Sequence, residues 1–186
     1  TGKTSVKEML FQVLNGSFSV QKSERNANVQ AKIGANLQRI PAGTEIFIQE
    51  IGGGSPGGAL RHSRMTDPDI AVITNIGTAH IGNFSSREEL FRNKLGILEG
   101  MSEGGLLIAN GDDPFLGQEA FPVPAVRFGM ENRKVEYFAE SICLYSWGSV
   151  FDILHDGRRT SAKVCIPGKH NVYNALCSFA AGSAAG

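Results

Sequence analysis

Apolar residues recur at helical spacing directly after Thr4. Val6, Met9, Leu10, Val13 and Leu14 share one face, and Asn15-Gly16 is the kind of pair that ends such a helix. A second stripe, Val29, Ile33, Leu37 and Ile40, stops at Pro41, so another helix is expected there. Short, nearly continuous apolar runs over 45–51, 70–74, 106–109 and 123–128 read as buried strands. Ser86 with Glu89 three residues on is a capping-box pattern, and the helix it starts carries Leu90, Phe91, Ile97 and Leu98 around Lys94. From 134 to 166 the pattern turns β-rich, with Asp156-Gly157 as a hairpin turn. That region predicts a small antiparallel annex packed on one edge. Residues 174–186 form a last helix of small residues. Helices alternating with buried strands predict an α/β fold, a mostly parallel sheet flanked by helices on both faces.

Composition narrows the field without changing that picture. A chain of 186 residues suits one domain, or one domain with a small annex. With 41% hydrophobic and 19% charged residues the balance is that of an ordinary globular protein. A net charge of zero argues against a general polyanion binder, so no nucleic-acid partner is expected. No apolar run approaches the ~18 residues that span a bilayer, and no signal peptide opens the sequence. Cys143, Cys165 and Cys177 are odd in number and lack CxxC spacing, which excludes a disulfide scaffold and a zinc site and fits a reducing cytoplasm. The opening Thr1-Gly2-Lys3-Thr4 matches only the last half of a phosphate loop, GxxxxGK[ST], and the final helix has no following element. The sequence therefore reads as a piece of a longer protein, cut at both ends.

The chemistry gathers where strands end. Gly2, Lys3 and Thr4 at a helix start offer backbone N–H groups and the positive helix end to a phosphate, with Lys3 reaching the terminal phosphates and the Thr4 hydroxyl available to magnesium. The plain alternative is an N-terminal turn with an exposed lysine. Glu50 closes its strand before Ile51-Gly52-Gly53-Gly54; it is a hard oxygen ligand for Mg²⁺ or a solvated carboxylate, and the glycines allow a ligand to come close. The loop holding Asn75, Thr78 and His80 follows another strand, and His80 could serve a metal ion or a phosphate oxygen. Lys94, on an apolar stripe fourteen residues after His80, is costly unless its amine reaches water, is paired, or is chemically altered. Asn110, Asp112 and Asp113 before Pro114 suit a turn. Asn171 and Asn174, three apart in PGKHNVYNAL, project from one face of a helix start, where an amide can meet an adenine edge or simply cap the helix. Open α/β sheets bind ligands at the carboxyl ends of their strands, and these segments converge there.

In this order, GKT, the EIG strand end, NIGTAH, the lysine that follows and PGKHNVYNAL resemble the Mur ligase family. The resemblance covers essentially the whole chain, 1–186, as that family's central ATP-binding domain, with the annex at about 134–166 and the family's N-terminal substrate domain and C-terminal domain absent. EIGGGSPGGAL and the His80–Lys94 spacing look most like the branch that adds D-alanyl-D-alanine to a UDP-muramoyl tripeptide. What the resemblance implies is ATP- and Mg²⁺-dependent amide ligation through an acyl phosphate, joining an amino acid or dipeptide amine to a UDP-sugar peptide in cytoplasmic cell-wall synthesis. By similarity Lys3 and Thr4 hold the ATP phosphates, Glu50 and His80 ligate magnesium, and Lys94 is carbamylated to give another oxygen ligand. Asn171 and Asn174 match the adenine contacts, and Asn28 matches a phosphate-side asparagine. Three departures stand beside this: the first phosphate-loop glycines are absent, Gly96 replaces a glutamate usual in that branch, and NVQAK replaces a glycine and proline pair. Folylpolyglutamate and cyanophycin synthetases share the core. A P-loop kinase or nucleotidase, which would not need the asparagine pair, and a non-catalytic nucleotide-binding module are the readings from other classes. The piece alone is expected to lack ligase activity.

Overall fold

The computed structural model describes residues 2–25, 27–79 and 81–186. Helix α1 (Lys3–Leu14) leads to strand β1 (Val20–Lys22), helix α2 (Gln30–Gln38) and strand β2 (Ile46–Ile48). Then come α3 (Gly58–Thr66), β3 (Ile70–Ile73), α4 (Arg87–Leu95) and β4 (Leu106–Asn110). The chain continues through β5 (Ala125–Gly129), β6 (Tyr137–Tyr145), β7 (Gly148–His155) and β8 (Arg158–Val164) into α5 (Lys169–Ala185). Strands β1 and β2 pair in parallel, and the other six form a sheet in the order β3-β4-β5-β6-β7-β8. Pairing is parallel from β3 through β6 and antiparallel from β6 to β8.

The strands alternate their burden as a two-faced sheet must. In β4, Ile108 enters a core with Val6, Leu10, Val172, Leu176 and Ala180, while Leu107 and Ala109 enter a second core with Ile73, Ile76, Phe91, Ile97 and Leu98. Helices α1 and α5 thus cover one face. The segment after β3 covers the other. Close approach of α1 and α5 depends on small residues: a Cβ at Gly182 would stand 2.9 Å from Val13 Cγ1.

Several expectations need correction. The annex is not a separate sheet packed on an edge. It continues the main sheet, because β6 pairs with β5 at Phe128↔Tyr137 and Gly129↔Phe138 before turning antiparallel. The strand expected over 45–51 shortens to Ile46–Ile48, and the one expected over 123–128 lies at Ala125–Gly129. Helix α3 and strand β1 carried no sequence expectation; α3 starts inside a glycine-rich stretch that reads as loop, and β1 has only three residues. The helix bearing Lys94 ends at Leu95 and tightens into a 3-10 segment, Gly96–Gly100, so Ile97 and Leu98 are buried from that segment instead. The capping box is displaced by one residue. Ser86 Oγ accepts from Glu89 N at 3.1 Å, but the Glu89 carboxylate accepts from the backbone and hydroxyl of Ser85. No helix among the described residues is long and apolar enough to cross a membrane.

Candidate functional site

Helix α1 starts after Gly2, which takes φ +85°, and among the described residues no side-chain cap closes its N-terminus. Its first-turn N–H groups and helix dipole thus face outward with Lys3 and Thr4. Gly2 has to be glycine twice over. The positive φ disfavours a side chain, and a Cβ would stand 2.6 Å from Asn174 Oδ1. The phosphate-loop remnant and the asparagine pair of α5 are therefore neighbours.

Thr4, Asn28 and Glu50 come together as one cluster. Thr4 Oγ1 donates to Glu50 Oε2 at 2.7 Å, and Asn28 Nδ2 donates to Glu50 Oε1 at 2.8 Å. Glu50 is 5% exposed, so it is no solvated strand end. Its own N–H donates to Ser23 Oγ at 3.1 Å. Gly52 makes room for protein: its Cβ position is filled by the Asn28 carbonyl, 2.4 Å away, whereas a Cβ at Gly53 would make only ordinary contact, 3.6 Å from Lys94 Cγ. Oxygen donors on Thr4 and Glu50 suit a hard cation such as Mg²⁺, which takes few protein ligands and leaves room for phosphate oxygens and water. Among the described residues no group of three or more His, Cys, Asp or Glu side chains gathers to hold a metal.

Lys94 does not snorkel. It is half-buried and donates to the Asn75 carbonyl at 2.7 Å. Its pKa is lowered to about 8, chiefly by burial and then by the charge of Lys3, with Asp113 opposing the shift. Asn93, its neighbour, holds the Gly53 carbonyl at 2.9 Å. Thr78, singled out in the same loop as Asn75, is exposed and accepts the N–H of Ile81 through its carbonyl at 3.1 Å. His80, expected as a metal or phosphate ligand, lies outside the described residues.

The asparagine pair shares one face of α5, but the helix is not capped by Asn171: Gly168 stands at the N-cap. Asn171 Nδ2 donates back to the Pro167 carbonyl at 2.9 Å, and Asn174 Nδ2 donates to Asn171 Oδ1 at 3.0 Å. Both are buried, so part of each amide already serves the fold. The turn after β4 forms as expected, with more purpose than a turn needs. Asp112 accepts from the backbone N–H groups of Met130, Glu131 and Asn132 and from the Tyr173 hydroxyl at 2.8 Å. Asp113 accepts from Ile76 N at 2.7 Å and from Phe115 N at 3.0 Å. Asn110 holds the Thr74 carbonyl at 3.1 Å. These three side chains lock the loops at the strand ends.

Sequence reasoning missed Lys7 and Ser23. Lys7 falls on the helical stripe as a lone charge among Val6, Met9 and Leu10, the same signal that drew attention to Lys94. Ser23 carries no signal in sequence.

At the strand ends of this α/β fold the structure gathers a glycine-led helix start, a buried carboxylate bound to a threonine hydroxyl, and a half-buried lysine. A family model described as the Mur ligase middle domain matches residues 1–182, and the chain belongs to that family. It is 35% identical over 182 residues to the UDP-N-acetylmuramoyl-tripeptide--D-alanyl-D-alanine ligase of Bacillus subtilis, covering 98% of this chain and 39% of that protein. It is 27% identical to the ligase of the same name from Escherichia coli, covering 97% of this chain and 40% of that one. Its fold matches a crystal structure of MurF from Acinetobacter baumannii with a TM-score of 0.92 at 26% identity, over 99% of this chain and 41% of the other. The chain thus spans about two fifths of the length of these relatives.

Proposed function

We propose that the protein carrying this chain is an ATP-dependent carboxylate-amine ligase that adds an amino acid or a dipeptide, D-alanyl-D-alanine first among them, to a UDP-muramoyl peptide in the cytoplasm. The observation that carries the reading is the buried Glu50 carboxylate held from two sides by Thr4 and Asn28 at the start of α1. A substrate carboxylate oxygen attacks the γ-phosphorus of ATP and ADP leaves, giving an acyl phosphate. The incoming amine then attacks the acyl carbon, loses a proton, and phosphate departs. The uncapped start of α1 and Lys3 offset the phosphate charge. Magnesium, when bound, would supply charge neutralisation for the phosphates, and Thr4 and Glu50 are the described residues that would hold it. By family resemblance His80 joins them.

Lys94 enters as a precursor. An amine with its pKa near 8 keeps an appreciable neutral fraction at neutral pH, and the neutral amine is the form that takes up CO₂. The resulting carbamate replaces a cation with oxygen ligands beside the phosphate site. Asn174 Oδ1 and the amide hydrogens not used within the fold are assigned to the adenine edge.

Phosphate release by the purified full-length protein tests this reading. UDP-muramoyl peptide acceptors are paired with amines including D-alanyl-D-alanine, glutamate and folate-type substrates. Release that needs both an acceptor carboxylate and an amine supports the ligase. Release with hydroxyl acceptors and none with amines overturns it in favour of a kinase.

A further inference from the structure

Lys7 is 3% exposed, yet it is a lysine in the second turn of a helix whose first turn is assigned to phosphate. A buried ammonium is costly unless all its hydrogens find acceptors. Here they do. Nζ donates to the Ser23 carbonyl at 2.8 Å and to the Arg25 carbonyl, and it pairs with Glu8 Oε1 at 3.2 Å. Glu8 is itself held by Lys22 on β1. Arg25 adopts φ +44°, a left-handed conformation that a non-glycine residue holds only when its surroundings impose it. Lys7 takes the carbonyl of that residue.

The segment gripped by Lys7 leads straight to Glu50. Ser23 is 1% exposed and serves both sides: its carbonyl accepts from Lys7, its N–H donates to Ile48 O at 2.9 Å, and its hydroxyl accepts the Glu50 N–H at 3.1 Å. Five residues on, Asn28 donates its amide to Glu50 Oε1 and accepts the Gly52 N–H on its carbonyl at 2.9 Å. Thr4 sits three residues before Lys7, on the same side of the helix, and holds the other carboxylate oxygen. One face of α1 therefore fixes Glu50 twice, directly through Thr4 and indirectly through Lys7.

We infer that Lys7 is a positioning residue for the Glu50 carboxylate. Its buried ammonium clamps the carbonyls of Ser23 and Arg25 so that Ser23 and Asn28 aim Glu50 at the magnesium-nucleotide site. This inference rests on the assignment of Glu50 as a metal ligand. Lys7 touches neither the nucleotide nor the reacting atoms.

The test is a double-mutant cycle on the full-length protein, read by binding rather than turnover. Mn²⁺ binding in the presence of a non-hydrolysable ATP analogue is measured by electron paramagnetic resonance, with denaturant unfolding of each variant alongside. Lys7→Met keeps the length of the side chain and removes the donors, and it should weaken Mn²⁺ binding by about 10- to 100-fold, the usual range for a residue that orients a metal ligand. In a Glu50→Gln background the same change should weaken binding no further. Equal losses in both backgrounds mean that Lys7 acts on the fold at large and overturn the inference. If Glu50→Gln alone leaves Mn²⁺ binding intact, the ligand assignment itself fails, which is a separate outcome. Should Lys7→Met not fold, Ser23→Ala breaks the same relay at the Glu50 N–H; Mn²⁺ affinity unchanged in that variant overturns the inference.

Discussion

The hydroxyl of Thr4 donates to Glu50 at 2.7 Å across 46 positions of sequence, tying the first turn of α1 to the end of β2. The pair puts two oxygen donors side by side. Thr4→Val keeps the shape and removes the hydroxyl. Metal-dependent nucleotide binding by the full-length protein should fall at least about tenfold, while folding stability changes by no more than about 1–2 kcal/mol for one lost hydrogen bond. Calorimetric titration with and without Mg²⁺ separates the two; equal binding in both proteins would remove Thr4 from the metal set.

Lys94 should titrate near pH 8. In this chain, reductive ¹³C-methylation of Lys94 followed across pH should show a midpoint about two units below that of an exposed lysine. Because the folded pKa lies below the unfolded one, the unfolded state binds more protons between about 8 and 10.5, and stability rises with pH across that window. The cost of burying the charged amine is fully present below pH 8 and fades above it. A midpoint at the ordinary lysine value would mean the amine is solvated.

Asn171→Ala should destabilise the chain with no ligand present. It removes the donor to Pro167 O and the acceptor of Asn174 Nδ2, leaving buried polar groups unpaired at about 1–3 kcal/mol. Urea unfolding of the variant against the parent measures this. A loss of nucleotide affinity with unchanged stability would show instead that the amide is reserved for the base.

Asp112→Asn should loosen the 129–132 turn from α5. Burial, and behind it the Asp112 carboxylate beside the hydroxyl, pushes the Tyr173 phenol above its ordinary range. The group stays protonated in the fold after it would ionise in the unfolded chain, so its stabilisation is complete below about pH 10 and is lost as pH rises further. An absorbance titration of the tyrosines should show one late phenol in the parent that moves earlier in Asp112→Asn. No movement would mean that burial alone holds it.

The sequence alone determined the alternation of helices and buried strands, the GKT helix start, and the residue types that converge at the strand ends, because periodicity and turn chemistry are local. Lys94 was legible for the same reason: a charge on an apolar stripe advertises its own cost. The tertiary structure alone decided what each of these groups meets. Glu50 reads as a strand-end carboxylate until Thr4 and Asn28, far away in sequence, close on its two oxygens. Asn171 reads as an adenine contact or a cap, and only the fold shows its amide turned back to Pro167. The annex reads as separate until β6 pairs with β5 over two residues, too short a match to show in a pattern. Ser23 gave no sign at all, since a buried serine differs from an exposed one only by its partners. Hydrogen bonds between distant segments depend on where the chain returns, and that is a property of the folded whole.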